Sequence, residues 1–172
     1  LKHEQNKGGS AARNTGIKIS KGKYIAFLDS DDEWMPKILE KQIELFKNGF
    51  YQFLFCGREI ITNKKNIIRI NNKSYLTEKD LLWGNAIGGL SGVIIEETLT
   101  KRVLFDEELT AAQDYDFYLR LLKECKKAIN IPIVLVRVYT TSDDRISDGM
   151  KKKFRGNRRC IIKHYKSFSK NQ

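Results

Sequence analysis

Proline occurs only twice in 172 residues and cysteine three times, and no apolar run approaches the roughly 20 residues that cross a bilayer. With 41% hydrophobic and 31% charged residues and no low-complexity run, these absences exclude disordered, collagenous and coiled-coil chains. What fits is one α/β or α+β domain. The longest apolar stretches, Phe53 to Cys56 and Ile131 to Val136, are of strand length. Cys56, Cys125 and Cys160 lack C-x-x-C spacing, and an odd, sparse count fits a reduced compartment, so the chain is read as cytoplasmic. A charged-apolar-small leader is missing too, and Leu1 stands where Met would open a gene product, which predicts a start inside a longer one.

Acidic residues are absent from the tail. Lys151 to Gln172 holds nine Lys or Arg and no Asp or Glu, so of 32 basic and 21 acidic residues, positions 1–150 keep 23 and 21. The net charge of +11 is therefore that of one basic segment on a nearly neutral body, and attraction of the whole protein to nucleic acid is not its natural reading.

Along the chain, a glycine turn precedes Ser10, the expected N-cap of a short helix running to Gly16 or beyond. Lys23 to Leu28 has no polar alternation, the pattern of a strand buried on both faces, and stops in Asp29-Ser30-Asp31-Asp32. Pro36 opens a helix with Leu39, Ile43 and Phe46 on one face, ending at Asn48-Gly49. Strands are expected over 51–62 and 67–70 about an Asn63 to Asn66 turn, and Thr77 with Asp80 forms a capping box. A glycine-rich loop from Gly84 runs into a strand near Ile95, Asp114 to Lys126 repeats at helical spacing, and Ile131 to Tyr139 is a further buried strand. In the tail, Phe154, Ile161, Tyr165 and Phe168 recur at near-helical intervals among the bases, predicting a basic amphipathic helix over 148–172.

In extended backbone, residues two apart project to one side, so Asp29 and Asp31 converge. Hard divalent cations such as Mg2+ or Mn2+ prefer carboxylate oxygens, and Mg2+ shares its shell between one or two carboxylates and substrate phosphates. The tetrapeptide alone fits a polar turn or a helix N-cap equally well; its place at a strand end favours a ligand site, because open α/β sheets bind ligands there.

Ser10-Ala11-Ala12-Arg13-Asn14-Thr15-Gly16 and Gly22 to Trp34 resemble the central signature of family 2 glycosyltransferases with the GT-A fold. Gly89-Leu90-Ser91-Gly92-Val93, Phe105 to Leu109 and Gln113 to Arg120 are similar to that family's donor-site loop and catalytic segment, in matching order over residues 5–147. The resemblance implies an α/β, Rossmann-like mixed sheet flanked by helices, lacking its N-terminal nucleotide-binding strands, over 1–147. It implies Asp31 as ligand of a Mn2+ or Mg2+ ion on the diphosphate, Asp29 near the ribose and Arg13 on the nucleotide. Gly89 and Ser91 belong to the donor loop, Trp34 is core or stacks on an acceptor ring, and Asp114 is the general base of an inverting transfer from a UDP-sugar to a hydroxyl. The acceptor is a saccharide or lipid-linked sugar of cell-surface polysaccharide or lipopolysaccharide assembly.

Other readings stand beside these. Asp114 caps its helix, and Asp116 pairs with Arg120 at i,i+4. His3 and His164 have no partner pattern and are assigned no chemistry. The family's extra C-terminal metal contact is missing, with Asp143 or Asp144 as substitutes. The tail is a solvated helix or a dock for an anionic membrane at its inner face, not a nucleic-acid module. A fragment acting as a binding or scaffold module is the alternative to the enzyme; a nucleotidyltransferase lacks its glycine-rich phosphate loop with lysine.

Overall fold

A computed structural model describes residues 4–140 and 150–169, with the side chains of 155 to 165 in the second segment. The central strand is β3 (Phe53–Ile61). Its run without polar alternation sends Phe53 and Phe55 into one apolar cluster and Leu54 and Cys56 into clusters on the other face. Antiparallel β6 (Val93–Glu96) flanks one side and parallel β7 (Ala128–Tyr139) the other. Beyond them lie β1 (Tyr24–Ala26) and β2 (Asp32–Trp34), both antiparallel to their neighbours, giving the order β1-β6-β3-β7-β2. Two short strands extend it, β4 (Asn66–Arg69) on β3 and β5 (Tyr75–Leu76) on β7.

Register shifts interrupt the β3 to β7 ladder on either side of Gly57, where an added Cβ would lie 2.8 Å from the Ile133 carbonyl oxygen. The bulge bends both strands, which lets the amino half of β3 pair with β6 and its carboxyl half with β4.

Helices cover both faces. On one, α1 (Gly8–Ile19), α4 (Glu97–Arg102) and α5 (Gln113–Cys125) supply Ile17, Leu99 and the Phe117 to Leu122 run to the main core. The Phe105 and Phe117 rings stack there at 3.9 Å. On the other, α2 (Ile38–Asn48) brings Ile38 and Phe46 onto Cys56, Leu54 and Ile94. A one-turn α3 (Glu78–Leu81) carries the expected capping box of Thr77 and Asp80.

Four local expectations change. Pro36 lies ahead of α2, which begins at Ile38 after Lys37 in the left-handed conformation. Ser10 is buried inside α1, because the helix starts two residues earlier, with Asn6 Oδ1 accepting the Gly8 N–H at 2.9 Å. Leu28 is exposed, since the chain leaves the sheet after Ala26. On α2, Leu39 faces solvent and Gln42 takes the inner position, where its Nε2 donates to the Gly92 carbonyl.

The basic tail forms α6 (Met150–Ser169). Its contact with the domain is not the apolar stripe. Gly156, Cys160 and His164, at i, i+4 and i+8, face inward, while Ile161 and Tyr165 point out. A Cβ on Gly156 would sit 2.5 Å from the Ala111 nitrogen, so glycine is what allows the close approach.

Candidate active site

Five residues separate β1 from β2, yet these strands occupy opposite ends of the sheet order. The connection must cross the carboxyl end of the sheet, and it does so over the turn Leu90–Gly92 that leads into β6. Ser91 is the fastening point. Its buried hydroxyl accepts the Asp29 N–H at 3.0 Å and donates to Asp32 Oδ2 at 2.5 Å. The Trp34 indole donates to the Ser91 carbonyl at 2.5 Å, and its ring packs against the α2-side core. Trp34 therefore holds the turn from the core side.

Arg13 reaches from α1 to the same turn. Its Nη2 pairs with Asp29 Oδ1 at 2.7 Å, its other arm meets Gln113 Oε1 at 3.5 Å, and its guanidinium lies over the Phe105 ring. Asn14 fixes the floor beneath by exchanging two hydrogen bonds with the Phe105 backbone and donating to Glu107. Asp31 stands exposed at the tip of the turn. Burial pushes the Asp32 carboxyl up from its ordinary value against the hydrogen bonds from Ser91 and the Tyr139 backbone, with Asp31 and Asp29 adding like-charge repulsion. Three carboxylates crowded within four residues are a donor set suited to a hard divalent cation.

Asp114 sits in the first turn of α5, after Ala112, whose φ of 56° is a left-handed conformation uncommon for residues with a Cβ. Its carboxylate accepts from Tyr115 N–H at 2.8 Å and Asn85 Nδ2 at 3.0 Å. Burial pushes its pKa up; the Tyr115 amide and the Arg13 charge oppose that, and the Asp29 charge adds to it. Asn85 also closes the glycine loop, bonding to Gly88 N–H and C=O. Gly88, at φ 94°, lies under the Arg58 guanidinium, whereas Gly89 has ordinary backbone and open space where a side chain would be. That opening leaves the loop backbone accessible to a ligand.

The structure thus joins Arg13, Asp29, Ser91 and Trp34 in one network, with Asp114 connected through Gln113 and Asn85 and Asp31 at its rim. Sequence reasoning missed Asn14, Gln113 and Asn85, polar residues inside the motifs whose partners lie 91 to 100 or 29 positions away. Asp143 and Asp144 lie outside the described residues.

A second polar cluster begins two residues beyond Asp114 on α5. Buried Asp116 accepts from Arg120 at 2.8 Å, from Lys163 at 2.9 Å and meets His164 Nε2 at 2.9 Å. The Asp116–Arg120 ion pair was expected; the role of His164 was not. Asp116, Cys160 and His164 bring three donor atoms within 4.8 Å of one another. Yet Arg120 and Lys163 already surround the carboxylate, and burial pushes the Cys160 thiol up to about 11, so the cluster is an ion-pair hub rather than a cation site.

This arrangement is the GT-A glycosyltransferase fold: Staphylococcus aureus TarS, solved in complex with UDP-GlcNAc, superposes with a TM-score of 0.77 over 94% of this chain and 48% of that one, at 16% identity. The sequence pattern of Glycosyl transferase family 2 matches residues 1–108, and the chain belongs to that family. Among similar curated proteins, the UDP-Glc:alpha-D-GlcNAc-diphosphoundecaprenol beta-1,3-glucosyltransferase WfgD of Escherichia coli is 33% identical over 90% of this chain and 60% of its own length. The putative teichuronic acid biosynthesis glycosyltransferase TuaG of Bacillus subtilis is 33% identical over 70% of this chain and 48% of its own. The chain spans about half to three fifths of the length of the curated relatives it matches. Among the described residues, no helix is long and apolar enough to cross a membrane.

Proposed function

We propose that the chain carries the catalytic portion of an inverting glycosyltransferase of cell-surface polysaccharide or lipopolysaccharide assembly, acting in the cytoplasm. The donor is a nucleotide-diphosphate sugar, with UDP as nucleotide, and the acceptor is a hydroxyl of a saccharide or lipid-linked sugar. The observation that carries the reading is the convergence of the Arg13–Asp29–Ser91–Asp32 network and the desolvated Asp114 on one end of the sheet.

Arg13 and Asp29 bind the nucleotide, and the glycine loop at Gly89 and Ser91 borders the donor sugar. Asp31, with Asp29 and Asp32 beside it, would hold a Mn2+ or Mg2+ ion, which supplies neutralisation of the charge growing on the departing diphosphate. Asp114 removes the acceptor proton as the hydroxyl oxygen bonds to the anomeric carbon. The bond to the diphosphate breaks on the opposite side, so the configuration inverts. Desolvation strengthens Asp114 as a base, because a carboxylate kept from water holds a proton more tightly.

Asp114→Asn should keep UDP binding and lower transfer by roughly 10²- to 10⁴-fold. Asp31→Ala should lose the metal-dependent part of UDP binding, read as the Mn2+-dependent rise in melting temperature. Full transfer by Asp114→Asn would refute the base assignment. A second reading, a binding or scaffold module, is favoured by one feature: among the described residues β1 is an edge strand, paired with β6 on one side. It predicts folded protein with no UDP-dependent shift.

A further inference from the structure

We infer that α6 docks the protein on an anionic lipid surface through the helix face turned away from the domain. The inference deepens the proposed function and rests on its lipid-linked acceptor. The helix has two sides with different chemistry. Its inner line of Gly156, Cys160 and His164 is anchored to Ala111 and Asp116, and Arg159 and Lys163 reach down to Glu108 and Asp106 on its flank. Arg158, Ile161, Ile162 and Tyr165, at i, i+3, i+4 and i+7, share the opposite face. The three apolar side chains there are 53%, 62% and 64% exposed.

Arg155 borders the same stripe, and neither it nor Arg158 has a carboxylate partner among the described residues. From 151 to 172 the sequence has no acidic residue to repel a negative surface. Bases alone would fit any polyanion. The aliphatic and aromatic stripe between them fits a lipid interface, which takes up apolar side chains below a layer of negative headgroups. The inner anchors fall on residues 106–116, the segment that leads into α5 and Asp114. A lipid surface gripped by α6 would therefore hold the base at a fixed height above the plane where a lipid-linked hydroxyl is presented.

The test is cosedimentation of the full 172-residue chain with phosphatidylglycerol–phosphatidylcholine vesicles and with phosphatidylcholine vesicles alone. Binding is expected to the anionic vesicles and to fall with salt. Arg155→Gln with Arg158→Gln should weaken it roughly 30-fold, at about 1 kcal/mol per base. Ile161→Ser, Ile162→Ser and Tyr165→Ser together should abolish it with the melting temperature unchanged, while Ile68→Ser, exposed on β4, should have no effect. Undiminished binding by the triple variant overturns the inference, as does absence of binding by the parent chain. A dimer dissolved by the triple substitution, or RNA binding in place of vesicle binding, also overturns it. UDP binding measured on the same samples separates the two claims: its loss with vesicle binding intact refutes the proposed function alone.

Discussion

Asp116→Ala tests how far the fold depends on a buried charge. The Asp116 side chain is fully buried, and its two oxygens serve Arg120 on the same helix and Lys163 and His164 on α6. Removing it leaves Arg120 and Lys163, 23% and 34% exposed, without their shared carboxylate; Arg120 keeps the Leu104 carbonyl and Lys163 keeps Asp106, so the loss is expected at the lower end of the roughly 3 to 5 kcal/mol for breaking a buried pair. For a chain of this size each kcal/mol shifts the melting temperature by about 2 to 4 °C, so a fall on the order of 10 °C is expected. The surrounding charges hold the Asp116 carboxyl well below its ordinary 3.8 against the opposing effect of burial. A depressed folded pKa means stability that is present above the unfolded value and is lost as pH falls through the folded one. Asp116 is ionised in both states between pH 5 and 7, so its own titration adds no slope there. The gap between parent and Asp116→Ala should begin to close only below about pH 4. Urea unfolding followed by circular dichroism at several pH values measures this. A loss under about 1 kcal/mol at pH 7 would refute the hub as a stabilising element.

Three further outcomes follow from the site. Asp114 has a raised folded pKa, so its contribution to stability is present below the unfolded pKa and lost as pH rises through the folded one; Asp114→Asn should therefore melt higher than the parent at pH 7 while losing transfer, read by calorimetry and a sugar-transfer assay. Ser91→Ala removes a charge-assisted hydrogen bond to Asp32 and the acceptor of the Asp29 amide, and should weaken UDP binding about tenfold by titration calorimetry. Gly156→Leu cannot fit against Ala111, so α6 should detach and become sensitive to limited proteolysis while circular dichroism of the sheet persists.

The stabilising core and the residues that meet in the candidate site were legible where their signals are local. The unbroken apolar runs announced β3 and β7, and the pairing of a strand end with four polar residues announced the turn at Asp29. Arg13, Asp29, Ser91 and Trp34 meet as one network in the structure. What the sequence hid depends on contacts distant along the chain. Asn85 reads as one more loop residue until the fold brings Asp114 to 3.0 Å from it. Gln42 carries no apolar signal, and its inner place follows from the Gly92 carbonyl that its amide reaches. His164 had no motif because its partner lies 48 residues earlier, on another helix.

The orientation of α6 was the least legible feature, for a physical reason. A periodic apolar stripe specifies that a helix has a wet side and a dry side, but not that the dry side meets its own domain. Turned inward, Ile161, Ile162 and Tyr165, now 53% to 64% exposed, would each gain about half to two thirds of the roughly 1.5 to 3 kcal/mol that full burial of a large apolar side chain contributes. Instead the helix turns Gly156, Cys160 and His164 inward, a line of small and polar residues that lets it approach Ala111 and satisfy Asp116. Asp116 decides the choice. Arg120 on its own helix meets one oxygen of this buried carboxylate, and the observed orientation of α6 brings Lys163 and His164 to the other, which would otherwise be buried without a partner. The hub therefore does two things at once: it satisfies a charge inside the domain and it leaves the apolar face of α6 directed outward.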